Sequence, residues 1–449
     1  MSFDKLLEAD QRHIDSASRS EITKYFSDEF TRNGGSEWLS TNNRYIVDAA
    51  EKFRIDFDAN PKTVDCRSLI SYISASAPTH LIDGWSFYSR AVEALLRGDS
   101  GAAIHLAYYT ELRAAMSILA SEGIGVFKNK HPIITSDKSY EVVNKVIGWD
   151  KDSGAYKRNP DTAGTHRIVW PLLAYWSKTH KAADLINSII KPEGIELSNW
   201  LNATKSHTSG LAISEYLFSK WGIDLANLHE DHQNRNIVSY QPSELRITKD
   251  PPIDDVLNFV CETWSFLQPS PGGRFLDLEK ALLKHAITVS SRSVIDKILI
   301  KRELNLSNDI TDSYCKFFDD KKIPLILKLS ISGSDKSSPS YPMEILARSF
   351  LLLFIATSSV KSHFSAAGAT EFEFFWKRFL STRLCYGKAE TTEEALILWE
   401  DISEIVDTTQ AWSKENKLAT TLGNWRKDNL LGANQLPGFE LAAIWGLAA

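Results

Sequence analysis

Three polar residues near the middle of the chain, Arg235, Asn236 and Tyr240, form the run Arg-Asn-x-x-x-Tyr. Asn236 and Tyr240 lie one turn apart on a helix, so a guanidinium, an amide and a phenol hydroxyl could lie close together. These groups supply a cation and two hydrogen-bonding partners, which suits a phosphate oxygen. We interpret Arg235, Asn236 and Tyr240 as candidate catalytic residues that hold a phosphate.

The same run has a structural alternative, in which it forms the end of a helix. A neighbouring acid, Glu230 or Asp231, could pair with the arginine, and the asparagine could act as a cap. Pro242 disfavours helical backbone at the residue before it, which places Tyr240 at the helix end. Both interpretations therefore predict the same local backbone.

Two histidines, His229 and His232, precede the run at helical spacing and would share a helix face. A metal site needs a third and a fourth ligand, and the sequence does not supply them. A solvated, charged helix end is the alternative. We predict no metal and no cofactor, and keep His232 as a candidate binding residue.

The bulk composition is that of a soluble globular protein. The 449 residues have a net charge of −6, with 43% hydrophobic and 24% charged residues, which suits two or three domains. The acidic balance argues against a globally basic nucleic-acid binder but is compatible with a local basic groove. The four cysteines are far apart in sequence. The sequence contains no CxxC pair, P-loop, nucleophile elbow, zinc-protease motif or Rossmann fingerprint.

The N-terminus is polar and shows neither a secretory signal nor an anchor. The longest apolar run, 349–356, is shorter than the roughly 20 residues that a membrane-spanning helix needs. We therefore expect a cytoplasmic protein without a membrane contact.

Hydrophobic periodicity predicts helices over most of the chain, with the clearest pair at 85–97 and 101–120. The break at 98–101, Gly-Asp-Ser-Gly, supplies a turn and a cap, so the pair should form an antiparallel hairpin. Strand signals are few: 131–136 fits a strand or an extended loop, and 323–332 fits a strand or the end of a helix.

Gly, Pro, Ser and Asp predict a long insertion loop at 148–166. Helical patterns resume after residue 342. The last of them places apolar residues on one stripe: Leu396, Trp399, Ile402, Ile405 and Val406.

The second helix of the predicted hairpin carries its own polar stripe. His105 and Arg113 are two turns apart on one side, with Tyr109 between them. We interpret all three as candidate binding residues; the alternative is an interhelical network that positions the hairpin.

Segment 99–119 resembles the second core helix of the HEPN superfamily (higher eukaryotes and prokaryotes nucleotide-binding). The resemblance rests on an acidic residue, small residues and a Tyr-Tyr pair: Asp99, Ala102, Ala103, Ala107, Tyr108, Tyr109, Ala114 and Ala115. HEPN ribonucleases also carry Arg-x(4–6)-His on a later helix. No arginine of this chain is followed by histidine at that spacing, and Arg235-Asn236-x-x-x-Tyr240 is the nearest match. Tyrosine, with an ordinary pKa near 10, is a poor general base at neutral pH.

The resemblance implies a mainly α protein with a HEPN-like helical bundle followed by a second helical lobe. We expect an N-terminal helical segment over 1–80, the bundle over 81–250 and a C-terminal helical domain over 274–449. It also implies an RNA-directed protein of a bacterial defence or toxin-type system. Such a protein would be a metal-independent ribonuclease or an RNA or nucleotide binder. It would act as a homodimer or with a protein partner. The alternative is a non-enzymatic scaffold or interaction subunit that docks through aromatic helices such as 371–379.

Overall fold

Helices make up about 70% of the structure, so the predicted mainly α fold class is confirmed. The computed structural model describes residues 4–30, 39–150, 152–206, 210–221, 223–240, 250–270, 274–289, 296–320, 322–333, 337–368, 392–416 and 421–447.

The helices of the described residues are numbered here in chain order. They are α1 Glu8–Ser16, α2 Arg19–Tyr25, α3 Ala49–Ala59, α4 Cys66–Leu96, α5 Ser100–Ser121, α6 Thr165–Trp176, α7 His180–Ile189, α8 Leu197–Ala203, α9 Gly210–Tyr216, α10 Leu225–Tyr240, α11 Ile253–Ser265, α12 Leu276–Val289, α13 Lys297–Leu304, α14 Asn308–Asp319, α15 Leu325–Ser330, α16 Tyr341–Ala367, α17 Thr392–Glu415, α18 Leu422–Asp428, α19 Leu430–Gln435 and α20 Glu440–Leu447.

Across the described ranges, short strands form three small antiparallel sheets, two of which lie between α5 and α6 in sequence. The strands are β1 Lys5–Leu6, β2 His131–Ile134, β3 Tyr140–Val143, β4 Lys145–Ile147, β5 Trp149–Asp150, β6 Ala155–Tyr156 and β7 Asp161–Thr162. β4 pairs with both β1 and β7, whereas β2 pairs with β3 and β5 with β6. The strand alternative for 131–136 is thus the correct one, and hairpin strands occupy part of the predicted loop 148–166. The strand alternative for 323–332 is wrong, because α15 occupies that segment.

The hairpin predicted from the sequence is formed by α4 and α5. The Asp99 side chain caps α5 by accepting a hydrogen bond from the backbone N–H of Ala102 at 2.9 Å. Gly98 makes the turn at a φ of +78°, where other residues are strained. The two helices run antiparallel: the Ser117 hydroxyl donates to the Ala77 carbonyl at 2.7 Å, and Phe87 stacks on Tyr109 nearer the turn.

A third long helix, α16, lies against both helices of this hairpin. The Trp85 indole N–H donates to the Thr357 hydroxyl at 3.1 Å in the buried interface. By length and apolar composition, α16 is the one helix of the described residues that could span a membrane, and it contains the apolar run 349–356. Its most apolar stretch is 94% buried within the protein, as in a core helix of a soluble protein.

The predicted domain boundaries remain a prediction, and helix packing crosses two of them. α4 runs without a break through the boundary at residue 80, and α16, from the predicted C-terminal domain, packs on the hairpin. One continuous apolar core therefore includes residues from all three predicted parts of the chain.

The stripe predicted for the late helix is present in α17. Ile402, Ile405 and Val406 are buried, and Trp399 packs against the core. The side chain of Leu396 and the whole segment 371–379, proposed above as a docking helix, lie outside the described residues.

Candidate functional site

The helix that carries Arg235 is α10, which packs against α5 and α6. It spans Leu225–Tyr240, and residues 241–249, including Pro242, lie outside the described residues. Asn236 therefore lies inside the helix and is not its N-terminal cap, so that part of the helix-end alternative is wrong. His232 and Arg235 are three residues apart and share a face of α10.

A buried ion pair fixes α10 to α16. Arg348 donates two hydrogen bonds to Asp231 Oδ2, from Nε at 3.0 Å and from Nη2 at 2.7 Å. The Tyr341 hydroxyl donates to Asp231 Oδ1 at 2.8 Å. Asp231 and Arg348 are both fully buried, so this pair must remain together for either charge to be tolerated in the core.

Glu111 of α5 joins the same buried network, with Oε1 3.8 Å from Arg348 Nε. Burial, and then the neighbouring charge of Asp231, raise the pKa of Glu111 well above its ordinary value. Burial thus favours the neutral form of Glu111 over its carboxylate, beside the Asp231–Arg348 ion pair. The network fixes α5 and α10, which carry the residues proposed from the sequence, to α16.

Arg235 lies over two tyrosine rings of α5. Its guanidinium carbon is 5.0 Å from the Tyr108 ring centroid and 5.3 Å from that of Tyr109. Both distances fit a cation–π contact, which holds a charged group in place with little solvent around it. Arg235 itself is 9% exposed.

Three histidines surround these rings. His232 stacks on Tyr108 with centroids 5.3 Å apart, and His105 lies 5.1 Å from Tyr109. His166, the second residue of α6, is stacked against His232 at 5.6 Å and is hydrogen-bonded through Nδ1 to the Tyr108 hydroxyl at 2.8 Å. We call this group the Arg235 cluster; its members are His105, Tyr108, Tyr109, His166, His232 and Arg235.

The environment keeps the cluster histidines neutral at pH 7. Burial, reinforced by the positive charge of Arg235, lowers the pKa of His105 and of His166. Burial, followed by the influence of His166 and Arg235, lowers the pKa of His232 to about 4. Neutral imidazoles beside a fixed cation can accept protons, and a bound anion would make their protonated forms easier to reach.

A metal centre is not formed by the described residues, in which no group of three or more histidine, cysteine or acidic side chains has the arrangement of a metal site. The His166 and His232 rings are nearly parallel, 8° apart. Two histidines alone do not complete a metal site, which needs three or four protein ligands.

The structure brings together four of the seven residues proposed from the sequence: His105, Tyr109, His232 and Arg235. Arg113 contacts α4 instead, where its Nη1 donates to His80 Nδ1 at 3.0 Å and lies 3.6 Å from Asp83 Oδ2.

Asn236 is half-buried next to Arg235 on α10, and the Tyr240 side chain lies outside the described residues. The Arg-x(4–6)-His spacing could not predict His166, because this histidine comes from another helix and precedes Arg235 by many residues. In the family motif the histidine follows the arginine, whereas His232 precedes Arg235 by three residues. This spacing places His232 beside Arg235 on one helix face.

A cavity of about 670 Å³ adjoins the Arg235 cluster, and we call it the α4–α5 cavity. Its walls come from the start of α3, from α4 and α5, from the loop 125–129 and from the first residues of α6. Tyr109 and His166 belong to both the cavity wall and the cluster, so the cavity leads from solvent to the histidines.

Comparisons with protein-family models, with curated proteins and with solved structures gave no match to this chain. The geometry of the Arg235 cluster is thus the basis for a functional proposal.

Proposed function

We propose that this protein is a metal-independent ribonuclease whose active site is the Arg235 cluster. The observation that supports this proposal is the stacked pair of neutral histidines, His166 and His232, beside an arginine held on two tyrosine rings. RNA carries its own nucleophile, the 2′-hydroxyl, so its cleavage requires only proton transfer and charge stabilisation.

Arg235 binds the scissile phosphate in this proposal. A guanidinium offers several N–H donors in a plane and matches the oxygens of a phosphodiester. The contacts to Tyr108 and Tyr109 fix its position before substrate arrives, which is the preorganisation that electrostatic stabilisation requires. The substrate phosphate approaches past Tyr109 and His166, the two cluster residues that line the cavity.

His232 and His166 transfer the protons. His232 accepts the proton of the 2′-hydroxyl while the 2′-oxygen attacks phosphorus. His166 takes up a proton from solvent when the phosphate anion binds beside it. It donates that proton to the 5′-oxygen as the bond from phosphorus to this leaving oxygen breaks. The products are a 2′,3′-cyclic phosphate and a 5′-hydroxyl end. His166 is suited to exchange a proton through Nε2, because Tyr108 engages its Nδ1.

This assignment replaces the Tyr240 of the sequence motif by two histidines as acid and base. The resemblance to HEPN proteins extends the proposal to its setting: a cytoplasmic component of a bacterial defence or toxin-type system that acts as a homodimer or with a protein partner. The proposal needs no cofactor.

Cleavage of a fluorescently labelled single-stranded RNA in the presence of EDTA tests the proposal. We expect the wild-type protein to cleave and to leave 2′,3′-cyclic phosphate ends, which are detected by their resistance to phosphatase until acid treatment. His232→Ala and Arg235→Ala should each lower the rate by at least a hundredfold, in keeping with the usual contribution of an acid–base group or a charge-stabilising group.

Matched controls distinguish loss of chemistry from loss of structure. His180→Ala and Arg302→Ala remove the same side-chain types from exposed positions on α7 and α13 and should cleave at the wild-type rate. Equal cleavage by Arg235→Ala and wild type would remove the cluster from catalysis. Absence of cleavage by the wild type, together with tight RNA binding, would leave RNA binding as the function.

A further inference from the structure

The α4–α5 cavity has the size and the lining of a ligand site. Its volume of about 670 Å³ falls within the range of about 300–1,000 Å³ that small-molecule sites occupy. Its wall includes the rings of Tyr72, Tyr109 and Phe127. Tyr72 and Phe127 meet edge to face with centroids 5.8 Å apart, which gives the cavity a fixed aromatic side.

The polar part of the wall combines two cationic donors with the side chains of Asp48, Ser76 and Asn129. Arg113 and Lys128 line the cavity together with His80. Because Arg113 donates to His80 Nδ1, the neutral His80 ring carries its proton on Nε2. Burial, followed by the nearby charge of Arg113, lowers the pKa of His80 to about 3, so this ring stays neutral. Arg113 Nε is buried and has no hydrogen-bond partner in the described part of the chain.

The first turn of α6 lies where the cavity meets the Arg235 cluster. Gly164, Thr165 and His166 all line the cavity, and no side chain caps this end of the helix. The Thr165 hydroxyl instead donates to the Phe127 carbonyl at 2.8 Å and fixes the helix start to the cavity wall. Backbone N–H groups at an uncapped helix start favour an anion, in agreement with a phosphate between the cavity and Arg235.

We propose that the α4–α5 cavity binds one unstacked nucleobase of single-stranded RNA, preferably guanine, next to the phosphate that Arg235 holds. This proposal rests on the proposed function, which it extends to a substrate class. Guanine displays two acceptors, O6 and N7, on one edge, and arginine is their commonest partner. Adenine has the same size but presents an N6 donor on that edge, which the Arg113 guanidinium cannot satisfy because it has no acceptor.

The requirement for a single strand follows from the cavity walls. A base can enter a cavity of this depth only when it leaves the helical stack, and unstacking is least costly in single strands. Aromatic rings in the wall then replace the lost stacking partners. Duplex RNA should therefore be a poor substrate, whatever its sequence.

Equilibrium binding of mononucleotides tests the cavity without any cleavage. Isothermal titration calorimetry with guanosine 3′-monophosphate and adenosine 3′-monophosphate should give at least tenfold tighter binding for the guanosine nucleotide. Arg113→Met should reduce that ratio to near one. Ser76→Phe, which fills the cavity from α4 without a change of charge, should abolish binding of both nucleotides. Arg302→Met, at an exposed position, should bind as the wild type does.

The outcomes separate this inference from the ribonuclease proposal. Guanosine-selective binding that is lost in Arg113→Met, in a protein that cleaves no RNA, supports the cavity and contradicts the ribonuclease. RNA cleavage without nucleotide binding, or with equal binding of the two nucleotides, overturns the base site and leaves the Arg235 cluster intact. Circular dichroism spectra and melting temperatures close to those of the wild type establish that each variant is folded.

Discussion

The rings of His166 and His232 lie nearly parallel, with centroids 5.6 Å apart and planes 8° apart, although they come from different helices and distant parts of the sequence. Two imidazoles this close cannot both carry a full positive charge without mutual repulsion. The pair therefore favours states in which at most one of the two rings is protonated. A site in which one ring accepts a proton and the other donates one requires such a state. Arg235 strengthens this tendency, since its charge lowers the pKa of both rings.

The Tyr108 hydroxyl holds His166, and Tyr108→Phe should remove that bond while keeping the ring that stacks on His232. A single hydrogen bond of this kind contributes about 1 kcal/mol, so we expect the cleavage rate to fall roughly fivefold to tenfold. Nitrogen NMR of the imidazoles should show a single His166 tautomer in the wild type and a mixture in the variant. Phe87→Leu, which alters packing next to Tyr109 without touching a hydrogen bond, is the control. An unchanged rate and tautomer in Tyr108→Phe would separate His166 from the chemistry.

The sequence predicted the local parts of this site and missed the parts that depend on tertiary packing. The hairpin α4–α5 follows from periodicity and from the Gly98-Asp99 turn, which are properties of neighbouring residues. Arg235 and His232 share one helix and could be proposed together. His166 could not, because its place depends on how α6 packs on α5. The partner of Asp231 was missed for the same reason: Arg348 lies in α16, more than a hundred residues later.

Stability should fall in acid because several buried histidines are neutral in the folded protein. His131 is the clearest case: its Nδ1 accepts from the Phe127 N–H at 3.1 Å, and its Nε2 donates to the Ala163 carbonyl at 3.0 Å. Burial lowers the pKa of His131 to about 4. An unfolded histidine takes up its proton near pH 6.5, so the free energy of unfolding decreases from there down to about pH 4. The share of His131 is at most about 3 kcal/mol.

Urea denaturation at pH 7, 5.5 and 4.5 measures this dependence. In His131→Gln, which cannot take up a proton, the loss of stability between pH 7 and 4.5 should be smaller than in the wild type. The exposed His180→Gln should follow the wild-type curve. Identical pH dependence in all three proteins would show that His131 does not contribute.

Gly84 of α4 faces Leu353 of α16. A methyl group at this position would lie 2.8 Å from Leu353 Cδ2, well inside van der Waals contact. Gly84→Ala should therefore lower the free energy of unfolding by about 1–3 kcal/mol, as overpacking of a core does. Gly101→Ala is the matched control on α5, where the nearest atom is 3.7 Å away, and it should be neutral or stabilise by up to about 1 kcal/mol. Equal effects of the two changes would contradict close packing of α4 on α16.

The Asp231–Arg348 pair should affect both stability and activity, because it joins the core to the helix of the Arg235 cluster. Arg348→Met leaves the Asp231 carboxylate buried without its guanidinium, and we expect a loss of about 3–5 kcal/mol in the free energy of unfolding. Adding Asp231→Asn removes the orphaned charge, so the double variant should recover part of that loss. Thermal and urea denaturation of both variants, beside the surface control Arg302→Met, measure the effect. If the double variant folds fully yet cleaves RNA more slowly than the wild type, the pair acts as a positioning device for His232 and Arg235. Wild-type cleavage in that variant would limit Asp231 and Arg348 to a structural role.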